Sequence, residues 1–211
     1  MKVGISQRID QVNSHNERRD SLDQRMVSWV ASMGLTPVLI PNILVEESLL
    51  DNKKYLHIKN WIQLMQLDAV ILSGGNDIGE MTQRDLTENY LLDWAVKNSI
   101  PVLGICRGMQ MMGLYGGAEL TDVQGHVATR HQLMFDSVKY TFPHSVNSYH
   151  HKILTGCPDG FEILATSEDG SIEAMAHKDL PWEGWMWHPE RENIISAIDT
   201  NRFIRLISNE T

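Results

Sequence analysis

A chain of 211 residues is long enough to bury one α/β core, and residues 1–211 are expected to form one domain. Its 42% hydrophobic and 21% charged residues, free of long like-charge blocks, exclude a disordered or fibrous chain. A formal net charge of −9 argues against the basic footprint that a nucleic-acid backbone requires. No apolar run approaches the ~20 residues that span a bilayer, and the opening MKVGISQRID lacks the apolar segment of a signal peptide. With only Cys106 and Cys157 in the chain, a cytoplasmic protein with reduced thiols is expected, with neither nucleic acid nor membrane as partner.

In chain order, short β-like runs alternate with segments of helical period. A strand over 3–6 leads into a polar, basic stretch, QRIDQVNSHNERR, read either as a solvated loop or as a segment that closes over an anionic substrate from the end of the first strand. A helix is predicted over 21–33, with Leu22, Met26, Val30 and Met33 on one face and Gly34 as its stop, followed by the buried strand TPVLIP. Residues 42–67 read as a loop and then a helix around 61–67. DAVILSGG is a continuous apolar strand ending in glycines, and a helix over 84–97 precedes a fourth strand, IPVLGI. FEILATS and SIEAMAH are further strands, and a last helix is predicted near 195–207. This alternation predicts an α/β fold with a mostly parallel sheet covered by helices on both faces.

Gly104, Cys106 and Gly108 spell G-x-C-x-G where the fourth strand meets a helix, the thiol counterpart of a nucleophile elbow. Both glycines are needed because the sharp turn leaves no room for side chains two residues either side. The helix start, with its free N–H groups and positive dipole end, favours a thiolate. A lone cysteine is more often a small buried hydrophobe; the rest of the chain makes Cys106 a candidate nucleophile. WMWHPE supplies His188 as proton carrier and Glu190, two positions on, as the carboxylate that orients it, since residues i and i+2 of extended chain face the same way. The oxyanion formed on attack is expected to meet the backbone N–H groups of Gly75 and Arg107. Gly74 and Asn76 of the same LSGGND turn are expected at the substrate. Met109, Met111 and Met112 read as packing of the helix on the sheet.

SGGND, GICRGMQ, VNSYHH and WHPE, in this order, resemble the class I glutamine amidotransferase-like superfamily, and GICRG with Arg84 and Asp85 upstream is closer to its γ-glutamyl hydrolase branch. The resemblance spans almost the whole chain. It implies that the cysteine attacks a γ-glutamyl amide, that a glutamyl-thioester forms and that water releases glutamate, with Cys106, His188 and Glu190 in these roles. It also implies glutamyl binding by Gln110 and by the backbone and side chains of Asn147, Ser148 and Tyr149. The segment between SGGND and Arg84 is shorter than in longer members of that branch, which implies a differently shaped substrate mouth.

VGISQRID, ERRDSLDQR and PVLIPN are similar to short hydrolases of this kind from bacterial surface-polysaccharide pathways. That likeness implies a small-molecule substrate linked to a nucleotide: glutamine joined through its side-chain nitrogen to cytidine diphosphate, cleaved to cytidine diphosphoramidate for capsule modification. The diphosphate would need local cations, for which Arg8, Arg18, Arg19 and Arg107 are the candidates. Another γ-glutamyl amine, a glutaminase subunit feeding ammonia to a separate synthetase, and a non-catalytic binding protein are the alternatives; in the leading reading no synthetase partner is required. No cofactor and no metal is expected. His126, His131, His144, His150 and His151 lack nearby cysteines or a metal-helix spacing, and are read as polar loop histidines.

Overall fold

The computed structural model of the protein describes residues 1–46 and 51–208. In chain order its elements are β1 (Lys2–Ser6), β2 (Arg8–Val12), β3 (Glu17–Ser21), α1 (Gln24–Ser32), β4 (Thr36–Ile40), the short helices at Asn42–Leu44 and α2 (Asp51–Lys54), and α3 (Leu56–Met65). Next come β5 (Ala69–Leu72), α4 (Thr82–Asn98), β6 (Val102–Ile105), α5 (Arg107–Tyr115), β7 (Leu120–Asp122), β8 (Val127–Gln132), β9 (Ser145–Tyr149) and β10 (Lys152–Leu154). The chain closes with β11 (Phe161–Thr166), β12 (Ile172–His177), β13 (Trp182–Trp185), a 3-10 turn over Pro189–Arg191 and α6 (Ala197–Ser208).

Among the described residues the central sheet has seven strands in the order β11-β12-β13-β6-β5-β1-β4. From β13 to β4 every pairing is parallel, while β11 and β12 add an antiparallel edge. The sheet is therefore mostly parallel, as expected. Alternate strand residues feed two cores, as a two-residue side-chain period requires. Val3, Ile5, Ala69, Ile71, Leu103 and Ile105 face α1 and α6, where Met26, Trp29, Val30 and Phe203 pack. Val70, Leu72 and Val102 face α3, α4 and α5, and Met109, Met111 and Met112 are buried in that second core.

Three expectations are corrected. QRIDQVNSHNERR is a hairpin, β2 with β3, an exposed ribbon in which Gln7 and Ile9 are buried. The helical stretch before β5 begins at Leu56, and its apolar face is Ile58 with Ile62; the part of the expected loop at residues 47–50 lies outside the described residues. His126 and His150 are buried beside the β8–β9 ribbon and are not loop histidines in solvent. No helix among the described residues is long and apolar enough to cross a membrane.

Candidate active site

The parallel strands β5 and β6 deliver the site, since their carboxyl ends open where ligands bind in such sheets. β6 ends at Ile105, and Cys106 turns straight into α5 with φ 53° and ψ −106°, a backbone conformation that costs a non-glycine residue strain. The turn is anchored by the Cys106 N–H donating to Trp185 O at 2.8 Å, and the Cys106 carbonyl accepts from Gln110 N at 3.1 Å. A Cβ on Gly104 would lie 2.6 Å from the Gly108 carbonyl carbon, and one on Gly108 would collide with the Leu72 carbonyl. The elbow geometry thus requires both glycines.

His188 follows β13 and Glu190 sits inside the 3-10 turn that Pro189 begins. His188 Nδ1 and Glu190 Oε1 lie 2.7 Å apart, and both residues are buried. The pair is therefore held by a turn rather than by the extended alternation expected from sequence. Burial disfavours the imidazolium, but hydrogen bonds with the Cys106 thiol and the Glu190 carboxylate outweigh it and hold the His188 pKa up at about 9. His188 is thus hydrogen-bonded to the Glu190 carboxylate and lines the same cavity as Cys106. The main-chain position of His188 is fixed by Asn147, whose Nδ2 donates to His188 O at 2.7 Å and whose Oδ1 accepts from His188 N at 3.0 Å.

Under the elbow lies a charge network of Arg84, Asp85, Glu88 and Arg107. The Arg107 guanidinium, buried, donates to Glu88 and Asp85, and Arg84 Nε reaches Glu88 Oε1 at 3.0 Å. Burial penalises the charge on Glu88, yet Arg107 and Arg84 hold its carboxyl below the usual range. Arg84 Nη2 also donates to the Ser73 and Gly74 carbonyls at 2.7 and 3.0 Å, bracing the glycine turn. Glu88 was legible as the i+4 partner of Arg84 on a helix.

Two small cavities meet at His188. One, of about 150 Å³, is lined by Cys106, Gln110, Tyr149, Gly75, Arg107 and Lys152 among others. The other, of about 280 Å³, lies across the His188 ring and is lined by Gly74, Arg8, Asp23 and Met26, with Gly75 and Arg191 common to both. Gly75 and Arg107, whose backbone N–H groups are the expected oxyanion donors, both line the cavity that holds Cys106.

The remaining candidates divide. Gln110 reaches the smaller cavity, where its Nε2 donates to Lys152 O at 2.9 Å. Tyr149 is there too, its ring centroid 5.9 Å from that of His188. The Asn147 amide is engaged by the His188 backbone, and Ser148 Oγ donates to His126 O at 2.6 Å, so neither side chain turns to the cleft. Asn76 clamps the hairpin instead, accepting from Ile9 N at 2.9 Å and donating to Ile9 O at 3.0 Å. Of the proposed cations, Arg8 lines the larger cavity although paired with Asp10 at 2.7 Å. Arg18 and Arg19 lie on the exposed return strand β3, Arg19 bonded to Glu17, because the segment is a hairpin and not a closing loop. The Arg107 side chain is neutralised beneath the elbow. Arg191 was missed: it lines both cavities and lies over the Tyr149 ring, 5.1 Å from its centroid. Its place directly after H-P-E was the available signal.

Comparison with known proteins agrees with this architecture. γ-Glutamyl-CDP-amidate hydrolase of Campylobacter jejuni is 31% identical over 206 residues, covering 94% of this chain and 94% of that protein. The glutamine-hydrolysing GMP synthase subunit of Methanocaldococcus jannaschii is 29% identical over 163 residues, 75% of this chain and 77% of that one. Among solved structures, a glutamine amidotransferase from Thermotoga maritima superposes with a TM-score of 0.62 at 17% identity, covering 99% of this chain and 83% of that one. A Thermoplasma acidophilum protein provisionally described as a GMP synthase subunit gives 0.70 at 20% identity, over 99% and 92% of the respective chains. The family model described as Peptidase C26 matches residues 3–190, and the chain therefore belongs to that class I glutamine amidotransferase-like family, as a hydrolase- or amidotransferase-type enzyme.

Proposed function

We propose that the chain, as a single domain over residues 1–211, hydrolyses a γ-glutamyl C–N amide bond by way of a glutamyl-thioester on Cys106. The observation that carries this reading is the buried His188–Glu190 hydrogen bond on the cavity that Cys106 also lines, with Cys106 at a strained elbow. The Cys106 thiolate attacks the γ-carbonyl carbon, and a C–S bond forms. The resulting oxyanion accepts from the N–H groups of Gly75 and Arg107. As the C–N bond breaks, imidazolium His188 gives its proton to the departing nitrogen; neutral His188 then takes a proton from water, whose oxygen attacks the thioester. The C–S bond breaks, L-glutamate leaves and the thiolate returns. Glu190 holds the imidazole tautomer and its charge throughout. The glutamyl group fits the cavity with Gln110 and Tyr149, which lies on the nucleophile's side of His188.

For the amine half we infer a nucleotide diphosphoramidate, with γ-glutamyl-CDP-amidate as the substrate and capsule modification as its use. Two features support it: the likeness to the Campylobacter enzyme, and the two arginines, Arg8 and Arg191, that line the cavity on the far side of His188. The free thiols of Cys106 and Cys157 suit a reducing cytoplasm. The match to a glutamine-hydrolysing GMP synthase subunit keeps one second reading, a glutaminase that hands ammonia to a synthetase. Specificity constants of the isolated protein decide between them. The expected result is turnover of γ-glutamyl-CDP-amidate well above that of glutamine and of γ-glutamyl polyamines, falling about tenfold or more for Arg8→Ala with Arg191→Ala. Preference for a polyamine conjugate, or unchanged nucleotide turnover in the double variant, overturns the nucleotide reading. Glutamine hydrolysis that rises only when a synthetase is added selects the second.

A further inference from the structure

Away from the cleft, three imidazoles converge on one buried carboxylate. His126 directly precedes β8, His131 lies within it, His150 directly follows β9, and Glu173 lies on β12 of the central sheet. Glu173 is fully buried, and neither of its carboxylate oxygens has a hydrogen-bond partner among the described residues; His131 Nε2 likewise has none. A buried, unsatisfied carboxylate of this kind is rare because its desolvation is expensive. From Glu173 Oε1 the distances are 3.6 Å to His150 Nε2 and 3.9 Å to both His126 Nδ1 and His131 Nε2, while His126 Nδ1 and His150 Nε2 are 3.4 Å apart. All four donor atoms fall within 4.8 Å of one another.

These separations exceed the roughly 2.7–2.9 Å of a charge-assisted hydrogen bond. They lie close to the edges of a coordination tetrahedron, about 3.4 Å for ligand bonds near 2.0–2.1 Å. The outer atoms of the rings point the same way. His126 Nε2 meets Asp169 Oδ2 at 2.8 Å and His150 Nδ1 meets the Lys152 carbonyl at 3.2 Å. A carboxylate or a backbone carbonyl on the far nitrogen is the arrangement that orients and strengthens metal-bound imidazoles.

We propose that His126, His131, His150 and Glu173 bind one divalent zinc ion as a closed, structural site. Imidazole and carboxylate donors suit zinc, and four protein ligands leave no position for a substrate. The ion joins the β8–β9 ribbon to the central sheet. That ribbon carries Asn147, which holds the backbone of His188, so the site supports His188 from behind. The proposal departs from the expectation of no metal, which rested on the absence of cysteines and of helical spacing; its donors come from the residues just before β8 and just after β9, from β8 itself and from β12.

The test uses the full chain purified without chelator. Elemental analysis is expected to find one zinc per chain, lost from His131→Gln and from Glu173→Gln but kept by His144→Gln. Protein stripped with a chelator is expected to gain about 5 °C or more in Tm when zinc chloride is returned, and cobalt(II) added in its place to give the visible absorption of a tetrahedral complex. Stripped wild type that takes up neither ion and shows no Tm change overturns the proposal, as does zinc retained in full by both ligand variants. Neither outcome depends on which amide the enzyme cleaves.

Discussion

At Cys106 the backbone stores strain that no buried structural thiol needs, since φ is 53° on a residue with a Cβ. Cys106→Ala is expected to lower kcat by about 10⁴-fold or more while leaving Tm close to wild type, because one sulfur is lost and little packing goes with it. Single-turnover kinetics with circular dichroism check this. His188 carries a second, separable expectation. Its pKa stands near 9 because the Cys106 and Glu190 hydrogen bonds outweigh burial. In the proposed mechanism the acid that protonates the leaving nitrogen is therefore expected to be present below pH 9 and lost above it. Glu190→Gln removes one of the two supports, so the alkaline limb of kcat should move to lower pH and kcat should fall on the order of 10²-fold, less than for His188→Ala. An unmoved alkaline limb removes Glu190 from the proton path. These residues were legible in the sequence because G-x-C-x-G and H-P-E are local patterns whose chemistry does not depend on distant chain.

Elements bring in what local patterns leave out. α4 crosses beneath the elbow and presents Arg84, Asp85 and Glu88 to Arg107 of α5, with Ser6 Oγ of β1 donating to Glu88 Oε1 at 2.8 Å. Such a network contributes little net stability when whole, but removing the Glu88 carboxylate leaves buried Arg84 without its carboxylate and buried Arg107 with Asp85 alone. Glu88→Ala is expected to destabilise by about 3–5 kcal/mol in urea unfolding, and to lower activity through the glycine turn that Arg84 braces. The β2–β3 hairpin is held to that same turn by Asn76 and to Asn42 by Asp20, whose Oδ1 accepts from Asn42 Nδ2 at 2.8 Å. Since the hairpin carries Arg8 to the larger cavity, Asn76→Ala should raise KM more than it lowers kcat. The sequence could not reveal a hairpin there: the ribbon is polar on nearly every residue, and its pairing is fixed by side-chain clamps from the ends of β4 and β5 rather than by an apolar stripe.

For the whole molecule, two buried groups tie stability to pH. Burial raises the Asp199 carboxyl from 3.8 to about 7, so the folded state binds a proton that the unfolded chain releases, and stability falls as pH rises between those values. His188, raised from 6.5 to about 9, contributes stability that is complete below 6.5 and lost through 9. Tm is therefore expected to be lower at pH 9.5 than at pH 6, and Asp199→Asn to flatten the acid part of that fall; a scanning-calorimetry series across pH checks both. The alternating sheet with its helices could be read from sequence, and Cys106, His188 and Glu190 could be named as candidates, because hydrophobic period and short motifs are properties of neighbouring residues. The turn that pairs His188 with Glu190, the capture of Asn147 and Arg107 by other partners, and the position of Arg191 on both cavities arise only when β13, β6 and β5 lie side by side and β9 of the separate ribbon packs against the turn after β13. The same holds for the three histidines of residues 126–150 that gather around Glu173 of β12. Contacts of that range are set by strand order and register, and a linear pattern of residue types carries neither.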